Sequence, residues 1–152
     1  MAVEKTCLFI KPDGLCKKLV GKIISRLEEE GFKLLALKMI KPSRNEFEKF
    51  YEAHRGKDYF EPFLDFVTST PIIVSVWEKE NAVQDLRKII GATDSRKAEK
   101  GTLRQLYGTN ERRNLVHASD SIESAKREIS FFFQESEIFS YDLDAWKPKD
   151  QK

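Results

Sequence analysis

Residues 114–121 read NLVHASDS, and the fold turns on how that stretch divides. Leu115 and Val116 favour extended backbone. Asp120, with Glu123 three positions on, fits an acidic version of the helix N-terminal capping signal. The apolar residues that follow, Ile122, Ala125, Ile129, Phe132 and Phe133, recur at helical spacing. The stretch therefore reads as a strand that gives way to a helix, with His117 at the junction. Backbone N–H groups at a helix start are unpaired and favour negative charge, so the junction suits an anion. On these residues alone His117 is open to two readings, a histidine that packs at a strand end or one that does chemistry there. His54 is the only other histidine in the chain.

The same alternation extends upstream. Thr6 to Ile10 is a short β-branched and aromatic run that ends at the turn sequence Lys11-Pro-Asp-Gly14. Leu19, Val20, Ile23, Ile24 and Leu27 step at helical intervals, and Gly31 closes that helix. Lys33 to Ile40 is almost wholly apolar and reads as a second, largely buried strand. Phe47, Phe50, Tyr51 and His54 mark one further helix, and Phe60, Phe63, Leu64 and Val67 another, with Pro62 in its first turn. Pro71 to Trp77 is the third strand, Ala82 to Ile90 a helix, and Leu115 to Ala118 the fourth strand. The order β-α-β-(αα)-β-α-β-α predicts an α/β (α+β) sandwich of ferredoxin-like βαββαβ type. Its four-stranded antiparallel sheet is covered by helices, most simply on one face.

A chain of 152 residues suits a single domain, which at this size buries roughly 68 to 70% of its unfolded surface. Its tail, from about residue 134 to 152, holds Ile138, Phe139, Tyr141 and Trp146, enough to pack on the domain or on a neighbouring subunit. Hydrophobic residues make up 40% and charged residues 34% of the chain, a globular rather than a disordered balance. Lys and Arg outnumber Asp and Glu by only 27 to 25, so no overall field recruits nucleic acid or a membrane, and any anion site must be local. Cys7 and Cys16 lack CxxC or zinc-ligand spacing, which points to reduced thiols and a cytoplasmic protein. The apolar run before Lys11 is too short for a secretory signal or a membrane span.

Gly91 to Arg113 breaks the pattern, with no convincing periodicity. Structureless loops beyond about 12 to 15 residues are uncommon in compact domains and tend to be functional or disordered. This loop carries Arg96, Lys97, Lys100, Arg104, Arg112 and Arg113 against Asp94, Glu99 and Glu111, a local excess of positive charge. Its direct continuation into NLVHASDS favours an anion-binding loop beside His117 over a merely solvated one.

The chemistry narrows by elimination. There is no GxxxxGK[ST] or GxGxxG phosphate loop, no GxSxG elbow, and too few histidines and cysteines for a familiar metal cage. His117 remains as a nucleophile. Free imidazole titrates near 6.5, so near neutrality one ring nitrogen often holds a lone pair able to attack phosphorus. Phosphoryl transfer asks a protein chiefly for positioning and cations, which Lys11, Arg87 and Arg104 would supply beside Mg²⁺ carried on substrate phosphates. At 100° per residue Glu128 falls at the edge of the Ile122, Ala125, Ile129, Phe132 stripe. It reads either as a surface glutamate or as a carboxylate that fixes the His117 tautomer, with Ser119 in the same hydrogen-bond chain.

Six segments then carry a resemblance: KPDG at 11–14, LVGKIISRLEEEGF at 19–32, FYEAHRGKDYF at 50–60, IIGAT at 89–93, GTLR at 101–104 and NLVHASDS. In this order and spacing the chain resembles the nucleoside diphosphate kinase family over about residues 3 to 140. The resemblance implies ping-pong transfer of a terminal phosphoryl group from ATP or another nucleoside triphosphate to a nucleoside diphosphate. It further implies a phosphohistidine at His117 and a requirement for Mg²⁺. It places Lys11, Tyr51, Arg87, Thr93, Arg104 and Asn114 around phosphates and ribose, and Ser119 and Glu128 behind the histidine. A homo-oligomer, hexameric or tetrameric, is also implied, while neither membrane nor nucleic acid is required. Three departures stand out. Tyr59 replaces the usual phenylalanine against the base, Lys100 replaces a common proline, and Gln105-Leu106 replaces a frequent Gly-Asp. A binding module without turnover and a nucleic-acid-binding role are the competing classes.

Overall fold

The computed structural model describes residues 2–151, with Gln151 described by its backbone alone. Four strands, β1 (Val3–Ile10), β2 (Lys33–Ile40), β3 (Ile72–Glu80) and β4 (Val116–Ala118), form one sheet in the order β2-β3-β1-β4, and every neighbouring pair is antiparallel. Among the described residues seven α-helices connect and follow them: α1 (Pro12–Cys16), α2 (Val20–Glu29), α3 (Arg44–Phe50), α4 (Phe60–Val67), α5 (Ala82–Ile90), α6 (Leu103–Tyr107) and α7 (Ile122–Phe132). This is the ferredoxin-like arrangement expected from the element order.

The helices, however, cover both faces of the sheet. Successive residues of a strand point to opposite sides. Cys7 and Phe9 of central β1 meet Phe47, Phe50, Leu64 and Phe132 from α3, α4 and α7, whereas Leu8 and Ile10 meet Ile23, Leu27, Leu86 and Ile90 from α2 and α5. The expectation of one covered face fails because the αα insertion and the last helix build a second layer. An unbroken buried run such as Cys7 to Ile10 is what a strand covered on both sides requires.

Strand β2 also departs from its reading. It lies at the sheet edge, and Leu37 and Met39 are 47% and 61% exposed although Leu35 and Ala36 are buried. Apolar content alone does not reveal which strand lacks a second neighbour. The tail packs along this edge: the Phe139 N–H donates to the Leu35 carbonyl at 3.0 Å, the Tyr141 hydroxyl donates to the Leu34 carbonyl, and Ile138 joins the core. Phe139, Leu143 and Trp146 remain exposed.

Two local details bear on the site. The N-cap of α7 is Ser121, not Asp120: Ser121 is extended, with φ −157° and ψ 166°, and its hydroxyl accepts from the Ser124 N–H at 3.0 Å. The residue directly before the first helical turn takes the cap, which frees Asp120 to face a cavity. The segment 91–113 is ordered by its own polar contacts. Asp94 caps the turn 95–97, Thr102 caps α6, and Ser95 donates to the Asn110 carbonyl. Gly108 packs so closely on Ser95 that a Cβ there would lie 2.1 Å from its hydroxyl oxygen.

Candidate active site

Pairing of β4 with β1 sets His117 directly across from Phe9 on the face shared with α7. The two rings stack at 4.9 Å with 20° between their planes, and Phe50 meets the imidazole edge-on. Its Nε2 lies 3.0 Å from Oε1 of Glu128, a buried residue on the inner side of α7. Ser119 Oγ donates to that same oxygen at 2.7 Å. A carboxylate only accepts, so Nε2 carries the hydrogen and Nδ1 keeps the lone pair. The His117 side chain retains 22% of its exposure, enough to present its ring to solvent on one side.

That side opens into a cavity of about 460 Å³. Lys11, Tyr51, Tyr59, Arg87, Thr93, Arg104 and Asn114 all line it together with His117. Every side chain expected around a phosphate, ribose or base is thus brought to one place, Arg87 from α5, Arg104 from α6, and the others from the end of β1, the C-cap of α3 and the loops between. Ser119 and Glu128 do not line the cavity. They sit behind the imidazole, where orientation is the available task.

Lys11 is buried, and its ammonium donates to Asn114 Oδ1 at 2.7 Å. Burial first, and then the Arg104 charge, push its pKa down to about 7, against the opposing pull of Asp13. The Asn114 amide donates in turn to the Thr93 carbonyl at 2.8 Å, which ties loop, strand and lysine together. Arg104 spends three donors on backbone carbonyls: Nε to Asn114 at 3.1 Å, Nη1 to Gly91 at 3.0 Å and Nη2 to Val116 at 2.8 Å. Burial and the nearby Arg87 lower its pKa to about 10, which still leaves it cationic at neutral pH. Tyr51 is buried, its hydroxyl has no hydrogen-bond partner, and burial followed by the Glu128 charge holds the phenol well above its usual range. An orphaned hydroxyl beside His117 and a buried lysine whose ammonium rests on an amide oxygen are what a site built for an anion leaves open. Tyr59 is 44% exposed at the rim, its hydroxyl 2.6 Å from His54 Nδ1.

His54, Phe60, Phe63, Glu111, Arg112 and Asp120 also line the cavity; of these the sequence marks only Glu111 and Arg112, as members of the charged loop. His54 stands three residues after Tyr51 on one helical segment, a spacing that offered a signal. Phe63 also read as core, yet it lies 5.0 Å beneath the Lys11 ammonium. Among the described residues no group of three or more His, Cys, Asp or Glu side chains is placed to hold a metal ion.

Comparison with known proteins agrees with this geometry. The model of the family described as nucleoside diphosphate kinase matches residues 4–138. The chain belongs to the nucleoside diphosphate kinase family. It is accordingly a phosphotransferase that acts on nucleoside di- and triphosphates. A nucleoside diphosphate kinase of Carboxydothermus hydrogenoformans is 47% identical over 146 residues, covering 95% of this chain and 98% of that protein. The Aquifex aeolicus nucleoside diphosphate kinase superposes with a TM-score of 0.88 at 41% identity, over 91% of this chain and all of that one. A halophilic nucleoside diphosphate kinase from Halobacterium salinarum, solved in complex with CDP, superposes with a TM-score of 0.91 at 36% identity, over 95% and 96% of the two chains.

Proposed function

We propose that His117 carries the phosphoryl group between donor and acceptor nucleotides. One observation carries this reading: Glu128 occupies Nε2, so the remaining lone pair is on Nδ1, on a ring that lines a cavity walled by Lys11, Arg87 and Arg104. In the first half-reaction Nδ1 attacks the γ-phosphorus of a nucleoside triphosphate, the bond to the bridging oxygen breaks, and the diphosphate leaves. In the second, a terminal oxygen of another nucleoside diphosphate attacks that phosphorus and the N–P bond electrons return to Nδ1. The bonds broken and made are alike, so the cycle runs in both directions. Glu128 and Ser119 hold the ring and balance the positive charge it gains. Lys11, Arg104 and the Tyr51 hydroxyl face the transferring oxygens, Thr93 and Asn114 the phosphates and ribose, and Tyr59 the base by stacking.

Mg²⁺ fits this pocket as an ion brought by the substrate. The carboxylates that line it, Asp120 and Glu111, are too few for a protein cage, so phosphate oxygens supply most ligands. When bound, the ion spreads the negative charge of the phosphate chain. The CDP complex of the halophilic relative fits a pocket that accepts diphosphates. The chain acts as one domain and as a homo-oligomer, hexamer or tetramer. Exposed Leu37 and Met39 on the edge strand, and Leu143 and Trp146 on the tail, support the assembly, which sedimentation would measure. No helix among the described residues is long and apolar enough to cross a membrane; the cytoplasmic location rests on the two cysteines, which lack zinc-ligand or CxxC spacing.

Incubation with γ-labelled ATP and Mg²⁺, followed by a chase with a different nucleoside diphosphate, tests the reading. The label is expected on protein in an acid-labile, alkali-stable form that the chase removes, and His117→Ala is expected to abolish both steps. Label that persists in the His117→Ala protein would overturn it.

A further inference from the structure

The backbone just before His117 is bent in an unusual way. Leu115, fully buried, has φ +82°, and the Val116 N–H donates to the Asn114 carbonyl at 3.0 Å to close a three-residue turn. Bulky residues rarely hold positive φ, and such a turn persists only where its surroundings enforce it. Here they do so from two sides. Arg104 binds the carbonyls of Asn114 and Val116, and the segment after β1 grips Leu115 itself. The Leu115 N–H donates to Asp13 Oδ2 at 3.0 Å, and its carbonyl accepts from the Lys11 N–H at 2.9 Å. The fit is tight: a Cβ on Gly14 would lie 3.1 Å from the Leu115 carbonyl oxygen and 2.5 Å from Ile10 Cγ2.

Asp13 is buried, and its other oxygen, Oδ1, has no hydrogen-bond partner. A group needed only to accept from Leu115 would serve as an amide. A carboxylate with an idle buried oxygen contributes something more, its charge. We infer that Asp13 is a positioning residue for phosphoryl transfer, clamping the Leu115 turn through one oxygen while its negative charge holds the Lys11 ammonium in the pocket. This rests on the proposed function of His117. Burial and Arg104 both work against a charged Lys11, and Asp13 is the group that favours it. The remaining titratable or charged groups that line the cavity with Lys11 are Arg87, Glu111, Arg112, His117 and Asp120 on one set of elements, and Tyr51, His54 and Tyr59 on the α3–α4 segment.

Asp13→Asn separates the two tasks, because the amide oxygen still accepts from Leu115. The measurement is kcat/KM for transfer from ATP to a second nucleoside diphosphate between pH 5.5 and 9, which reports the free enzyme. Removing an opposite charge moves a pKa by about one unit or more, so the alkaline limb is expected to shift by about that much toward acid. The variant would then be within about twofold of the wild type at pH 6 and about tenfold slower at pH 8. Asp13→Ala, which loses the clamp as well, is expected to add a pH-independent fall in kcat. A profile of unchanged shape in Asp13→Asn, whether or not scaled down, overturns the inference, and so does a failure of that near-isosteric variant to fold. Absence of transfer by the wild-type chain would instead defeat the proposed function itself.

Discussion

Replacing Glu128 by glutamine changes one atom and one charge behind His117. In the folded protein that carboxylate takes two hydrogen bonds on a single oxygen, from Ser119 at 2.7 Å and from His117 Nε2 at 3.0 Å, at a site only 3% exposed. As Nδ1 bonds to phosphorus the ring gains positive charge, and the bond from Nε2, until then between a neutral donor and the carboxylate, joins two opposite charges. Such bonds contribute about 1.5 to 3 kcal/mol against about 0.5 to 1.5 for neutral ones. The loss specific to the reacting state is therefore about 1 to 2 kcal/mol, or about 5- to 30-fold in rate. A glutamine that turned its amide nitrogen to the ring would pin the hydrogen on Nδ1 and raise the loss toward about 10⁴-fold. The assay is single-turnover phosphorylation by ATP in a rapid-mixing instrument, alongside nucleotide titration of the unphosphorylated protein. Because Glu128 lies outside the cavity, affinity is expected to hold within about twofold while phosphorylation slows. A variant that melts like the wild type and is phosphorylated at the same rate would remove Glu128 from the mechanism.

Lys11→Met is expected to stabilise the nucleotide-free protein at pH 6 while weakening nucleotide binding. The unfolded lysine keeps its proton to about 10.5 and the folded one to about 7, so the unfolded chain binds more protons between those values and stability rises with pH across that window. The unfavourable burial is complete below pH 7, where the variant should gain on the order of a few kcal/mol, and gone above 10.5. Thermal melts of both proteins at pH 6 and pH 10 test this, and an equal difference at the two pH values would refute it. Tyr59→Ala is expected to weaken adenine, guanine and pyrimidine nucleotides alike, by about 1 kcal/mol at so exposed a rim, since stacking uses a face that every base has. Preference among bases by more than tenfold in the variant would show that hydrogen bonds to base edges do the recognising.

What the sequence disclosed follows the range over which each signal acts. Helical spacing is local, so Ala82–Ile90 is found at its exact bounds and Glu128 can be placed near His117 without coordinates. Which face of the sheet a helix covers depends on strand order, and no residue in α3 or α7 encodes that by itself. The exposure of Leu37 and Met39 is likewise a property of β2 having one neighbour. Asp13 was legible only as part of a turn, because the N–H it accepts from belongs to Leu115, 102 residues later. The loop 91–113 hid its order for a related reason. It is held by polar contacts such as Ser95 to Asn110 and Arg104 to Gly91, which leave no hydrophobic period to read.

Arg104 shows how one side chain joins fold and site. Three of its five donors are fixed on the carbonyls of Gly91, Asn114 and Val116, so the guanidinium binds the loop to the strand that carries His117. The two remaining N–H groups are those a phosphate can use. A lysine at this position would keep a charge but present all its donors from one nitrogen, unable to span three carbonyls set around a planar fork. The turn at Leu115 would then be held by Asp13 and the Lys11 backbone alone. Positive charge in this cavity is thus inseparable from the backbone geometry that aims His117. Arg104, a cation that would meet the transferring phosphate, is also a group that the strained approach to the proposed nucleophile depends on.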